Sequence, residues 1–161
     1  EEGFKVLKVY KTPENLIAIS RKSDSEKNLN LKHKFKIDKF IENFERNKNN
    51  IKKNIKSYIS KNKKIIFWGG GGFAVAAEYL YSVKSNLIEY IVDTDKKKHN
   101  MIFISNNLRI FNPNKILKTN PNLIIITSYY YQEIIKTIKK FNLKINILTI
   151  FPKVKLYKNN K

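Results

Sequence analysis

From Lys63 onward, short apolar runs alternate with amphipathic ones, and the first junction between them carries four consecutive glycines in KKIIFWGGGGFAVAAEYL, residues 63–80. Apolar runs of four or five bounded by turn residues predict buried strands, and apolar spacing of three and four predicts helices. IIFW (65–68), a helix over about 73–83 and IEYIV (88–92) make one strand, helix, strand unit. MIFI (101–104) and LRIF (108–111) add strands, and Asn112-Pro113 starts a short helix with Asn as its cap. LIIIT (123–127) reads as a buried strand before a helix over about 129–141, whose Ile134, Ile135, Ile138 and Phe141 face the sheet. INILTI (145–150) closes the series before Pro152. Such alternation predicts an α/β fold, Rossmann-like, with a mainly parallel sheet, helices on both faces and right-handed crossovers. It spans 61–152, and 153–161 reads as a basic tail.

Upstream the pattern differs. GFKVLKVY (3–10) and LIAIS (16–20), joined by a turn over Lys11-Thr-Pro-Glu14, predict an antiparallel hairpin. A lone hairpin is marginal in water, so a preceding domain is expected to supply the sheet that it joins, with 1–23 as that domain's closing piece. The single methionine is Met101 and the sequence opens at Glu1, which fits the C-terminal part of a longer polypeptide. Residues 24–60 read as a polar linker and an amphipathic helix over about 37–60. Its apolar face is Ile37, Phe40, Ile41, Phe44, Ile51, Ile55, Tyr58 and Ile59. Asparagines between Arg46 and Asn50 predict a break there.

Composition removes several classes of function. There is no cysteine, hence no thiolate nucleophile and no sulfur-ligated metal. The net charge is +20, but the cations are 30 Lys and only three Arg (Arg21, Arg46, Arg109), beside 21 Asn and 24 Ile. That joint bias is the mark of an AT-rich genome. Arg is the better fork for phosphate and base edges, and the lysines are dispersed, so nucleic acid is not the expected partner. No apolar run approaches the ~20 residues of a membrane span, so a soluble, cytoplasmic protein without a membrane partner is expected. His33, in the linker, and His99 lack metal-ligand spacing and read as solvent-exposed. Asp93 and Asp95 stand beside Lys96, Lys97 and Lys98, which disfavours a divalent metal there.

Two constellations remain as candidate sites. Gly69-x-Gly71-x-x-Ala74 at a strand-to-helix turn allows a tight bend, close approach of a phosphate and close helix packing, so Gly69, Gly70, Gly71 and Gly72 are expected to face a ligand. Asp93 ends the next strand, where a ribose-binding carboxylate belongs. The plainer alternative is a glycine turn required by packing, with Asp93 capping a turn. Ser128, Tyr129, Tyr130 and Tyr131, after Thr127, lie at the carboxyl end of the LIIIT strand of this domain. There hydroxyls can cap a helix and tyrosines can stack on a sugar or base. Glu133 suits the positive end of the following helix.

IIFWGGGGFAVAAEYL, IEYIVDTDKKKHN and NPNKILKTNPNLIIITSYYYQEI, in that order, resemble the C-terminal domain of the C-methyltransferase family. EEGFKVLKVYKTPENLIAISRK is similar to the closing hairpin of that family's preceding methyltransferase domain. The resemblance implies a Rossmann-like domain that holds the acceptor, a nucleotide-sugar in several members. It places S-adenosylmethionine (SAM) in an upstream domain in cis, so this chain alone is expected neither to bind SAM nor to methylate. It favours Gly69, Gly71, Asp93 and Tyr129 to Tyr131 as ligand-facing and assigns no catalytic residue. Members with a histidine base carry it in the hairpin turn, and here that turn, Lys11 to Asn15, has none. Where relatives have Gly after the charged loop this chain has Asn100, which tolerates positive φ. The residues also admit a non-catalytic nucleotide- or sugar-binding or scaffolding module, and an NAD(P)-binding domain.

Overall fold

The computed structural model describes residues 4–11, 16–22, 31–61, 63–103, 105 and 107–158. The turn predicted over 12–15, most of the linker (23–30), Ile104 and the end of the tail (159–161) lie outside the described residues. The chain forms two compact units, Glu1–Glu45 and Arg46–Lys161.

In the first unit β1 (Phe4–Lys11) and β2 (Leu16–Lys22) pair antiparallel, with a register shift between Val6 and Lys8. Leu7, Val9 and Ile19 are exposed. Helix α1 (Leu31–Ile59) starts six residues before its predicted position, so His33 lies in a helix and not in a linker. It also runs unbroken through Arg46 to Asn50. The asparagines there are weak helix formers, but each costs well under ~1 kcal/mol, less than the burial that follows returns. Ile51, Ile55 and Tyr58 are buried, and the Tyr58 hydroxyl hydrogen-bonds the Asn146 side chain.

The second unit holds a seven-stranded sheet: β3 (Ile65–Trp68), β4 (Ile88–Val92), β5 (Ile102–Phe103), β6 (Leu108–Phe111), β7 (Leu123–Ile126), β8 (Asn146–Thr149) and β9 (Lys155–Tyr157). The order is β5-β6-β4-β3-β7-β8-β9. The central five strands are parallel and the two edge strands antiparallel. Helices α2 (Gly72–Tyr79), α3 (Lys115–Thr119) and α4 (Tyr131–Lys140) connect them. The parallel strands β3 and β7 are the uninterrupted, fully buried apolar runs rich in Ile that double-sided burial requires. Ile66, Trp68, Tyr90, Ile124, Ile126 and Ile147 pack on one face with Ile116 of α3 and Ile134 and Ile138 of α4. Ile65, Phe67, Ile91 and Ile125, alternating with these, are equally buried on the other face. The fold is the expected α/β sheet. Lys155–Tyr157, read as part of a basic tail, instead extends the sheet, because three residues in lysine-rich sequence carry too little pattern to reveal a strand.

The chain leaves β3 toward β4 and β6 on one side, then returns to β7 and β8 on the other. This reversal falls between β3 and β7. In open α/β sheets the crevice beyond the carboxyl ends of the strands at such a point is where ligands bind.

Candidate functional site

Gly69 and Thr127 follow the two strands that flank this reversal. Gly69 has φ +118°, and a Cβ there would lie 2.7 Å from the Thr127 carbonyl oxygen, so conformation and space both demand glycine. Its N–H donates to Val92 O at 2.8 Å. The buried Thr127 hydroxyl donates to Gly69 O at 2.6 Å, and the Thr127 N–H to Trp68 O at 2.9 Å, which fastens the base of the crevice. A Cβ on Gly70 would lie 2.6 Å from Ile110 Cδ1, so Gly70 is packed against a side chain.

The next two glycines differ. Gly71 is extended (φ −132°), and an added Cβ would meet only Lys98 Nζ, 3.9 Å away; on Gly72 it would meet nothing within 4 Å. Neither is required by the packing around it. Both stand at the amino end of α2, where helix amides and dipole favour an anion.

Asp93 organises the neighbouring loop. It is 6 % exposed. Its Oδ2 accepts from the Gly70 N–H (2.8 Å) and Lys98 Nζ (2.9 Å), and its Oδ1 from the Asp95 N–H (2.9 Å). Burial pushes its pKa up, but the hydrogen bonds from Asp95, Lys98 and Gly70, with the Lys98 charge, outweigh that and leave it below the usual carboxylate value. Three of roughly four acceptor positions are therefore filled from within the chain. Asp93 is a clamp between the glycine loop and the Lys96–Lys98 turn. Asp95 Oδ1 accepts from the Lys97 N–H at 3.0 Å, starting that turn. His99, expected in solvent, is half-buried and its Nε2 lies 2.8 Å from Asp93 O. Asn100 takes φ +68°, as its type allows.

Of the four hydroxyl residues after Thr127, Ser128 Oγ accepts from the Tyr130 N–H at 3.2 Å, a turn leading into α4. Tyr129 meets Phe73 edge-on, with ring centroids 4.8 Å apart, and Phe73 lies 4.6 Å from Phe151. Tyr131 packs against the sheet core. Tyr130 is 74 % exposed and alone extends well into solvent. Glu133 lies in the first turn of α4, as expected.

The structure thus brings Gly69 to Gly72, Asp93 and Lys98 into one cluster. Lys98 went unnoticed in the sequence because nothing distinguishes it from Lys96 and Lys97. The signal that could have found it is the pair of carboxylates two residues apart, which folds the turn and brings the third lysine back.

A family model described as the C-methyltransferase C-terminal domain matches residues 6–152. Among solved structures, UDP-D-quinovosamine 4-dehydrogenase from Vibrio fischeri is similar, with 20 % identity and a TM-score of 0.43, over 60 % of this chain and 93 % of that one. No curated protein matches. Among the described residues, no helix is long and apolar enough to cross a membrane.

Proposed function

This chain belongs to the C-methyltransferase C-terminal domain family, and from that premise we propose that its second unit binds and orients the acceptor of a methyl transfer, a nucleotide-linked sugar. The observation that carries this reading is the open pair Gly71 and Gly72 at the amino end of α2 with Lys98 beside it. A diphosphate fits that combination. The backbone can approach closely, the helix end is positive, and Lys98, whose side chain is 35 % exposed, adds an ammonium. Tyr130, exposed at the same edge of the sheet, supplies a face for the base or sugar. Asp93 holds the loop in shape.

SAM belongs, on this reading, to a preceding domain that the β1–β2 hairpin completes. Its ribose needs a carboxylate with free acceptor positions, as does that of NAD. The filled, buried Asp93 does not fit that need, and no step of methyl transfer is assigned to these residues. Isothermal titration calorimetry of this chain with UDP-glucose, dTDP-glucose and SAM tests the division. At least one nucleotide-sugar is expected to bind and SAM not to. Binding of SAM alone, or of none of the three, would overturn it.

A further inference from the structure

We propose that the outer edge of β9, with the cleft beside it, takes up an acidic, extended peptide segment of a partner protein as an added strand. Both edge and cleft lie within the second unit. The sheet ends at β9, and among the described residues no strand lies beyond it. Helix α4 covers the sheet where it connects β7 to β8, but β9 follows β8 by a turn over 150–154 and not by a crossover helix. The chain therefore lays no further connecting helix on this margin. A cleft of about 610 Å³ results between α4 and β9. Ile138, Ile145 and Ile147, each less than 10 % exposed, line it together with Tyr157 of β9.

The occupant follows from charge and from the edge itself. Lys139, Lys144 and Lys158, all exposed, rim the cleft, and no carboxylate is among its described lining residues. Lys155, two residues from Tyr157 and so on the same face of β9, adds an ammonium 4.8 Å from the Tyr157 ring centroid. A second copy would bring these lysines against their equals in a chain of net charge +20, which is how edge lysines prevent self-pairing. The same cations attract an acidic chain. An added strand exchanges main-chain hydrogen bonds with β9 and, because side chains alternate between faces, turns every second one toward the cleft. β9 has three residues, so the pairing run is short. The fitting segment is therefore a short apolar run with acidic residues at both ends.

Fluorescence anisotropy of this chain with labelled Glu-Glu-Val-Ile-Val-Glu-Glu and Lys-Lys-Val-Ile-Val-Lys-Lys, at ~150 mM salt to screen distant charges, tests the proposal. The acidic peptide is expected to bind at least ~tenfold more tightly than the basic one. Lys139→Glu/Lys144→Glu/Lys158→Glu should weaken it at least ~tenfold. Lys52→Glu/Lys53→Glu/Lys56→Glu, at exposed positions of α1 and with the same change in net charge, should weaken it less than about twofold. N-methylation of alternate peptide amides is expected to abolish binding in one phase and spare it in the other, the signature of pairing along a single strand edge. No binding of the acidic peptide overturns the proposal, and equal losses in the two triple variants do so by reducing the effect to net charge. Tolerance of both N-methylated peptides would make the cleft a site for any amphipathic anion, and concentration-dependent dimers in sedimentation would make a second copy the occupant. Either result overturns strand addition by an acidic partner.

Discussion

Gly69 and Gly71 stand two residues apart and answer to different causes. At Gly69 an added methyl meets a backbone carbonyl at positive φ, so Gly69→Ala is expected to cost about 2–4 kcal/mol in urea denaturation. At Gly71 an added methyl meets only a flexible lysine tip, so Gly71→Ala should change stability by less than about 0.5 kcal/mol. The same variant should weaken nucleotide-sugar binding several-fold in calorimetry, because the methyl stands where the phosphate approaches. Equal effects on both quantities would remove the distinction between them. Asp93 carries a pH signature. Its pKa is depressed in the folded state, so its contribution is complete above the unfolded value near 4 and is lost as pH falls through the folded value. Asp93→Asn should therefore lower stability at pH 7 and flatten its dependence between about pH 5 and 2. The glycine spacing and Asp93 were legible as a motif. That two glycines serve the fold and two face open space was not, because it depends on Thr127 and Ile110, distant in sequence.

At the scale of elements, β3 coincides with its predicted run because a buried parallel strand is a continuous apolar stretch, and β4 and β6 coincide with theirs although exposed Glu89 and Arg109 interrupt them. Boundaries shifted where competing causes act within a few residues. Helix α4 begins at Tyr131 and not at 129, since Ser128 accepts from the Tyr130 N–H and holds the preceding residues in a turn. Helix α1 kept its asparagines because tertiary burial outweighs propensity. Elsewhere asparagine is structural: among the described residues, four of the five non-glycine residues at positive φ are Asn100, Asn107, Asn120 and Asn142. Asn120, at +43°, ends α3 with its N–H donating to Ile116 O. A bias that arises from genome composition is thus placed where left-handed turns tolerate it. Asn100→Gly is expected to be neutral or slightly stabilising, and Asn100→Ala to cost roughly 1–2 kcal/mol, measured by thermal denaturation. A tolerated alanine would mean that the turn between the Lys98 loop and β5 readjusts freely.

For the whole molecule, strand and helix alternation made the fold class legible, whereas the extent of the folding unit was not. Sequence reading starts the domain at residue 61, where alternation begins, but the compact unit begins at Arg46. The difference is the second half of α1, whose Ile51, Ile55 and Tyr58 are buried within this unit. A helix that covers a sheet without sitting between two of its strands has no signature in the alternation. At about 1.5–3 kcal/mol for each buried side chain, the three together contribute roughly 5–9 kcal/mol as an upper estimate, comparable to the entire stability of a domain this size. A chain trimmed to 46–161 should therefore unfold cooperatively at the midpoint of the parent, while one trimmed to 61–161 should show little or no cooperative transition. Circular dichroism melts of the three lengths decide between the boundaries. Equal midpoints for 46–161 and 61–161 would return the boundary to residue 61 and make the second half of α1 dispensable. A collapse already at 46–161 would mean that the hairpin unit stabilises the sheet, and the two units would then have to be treated as one folding body.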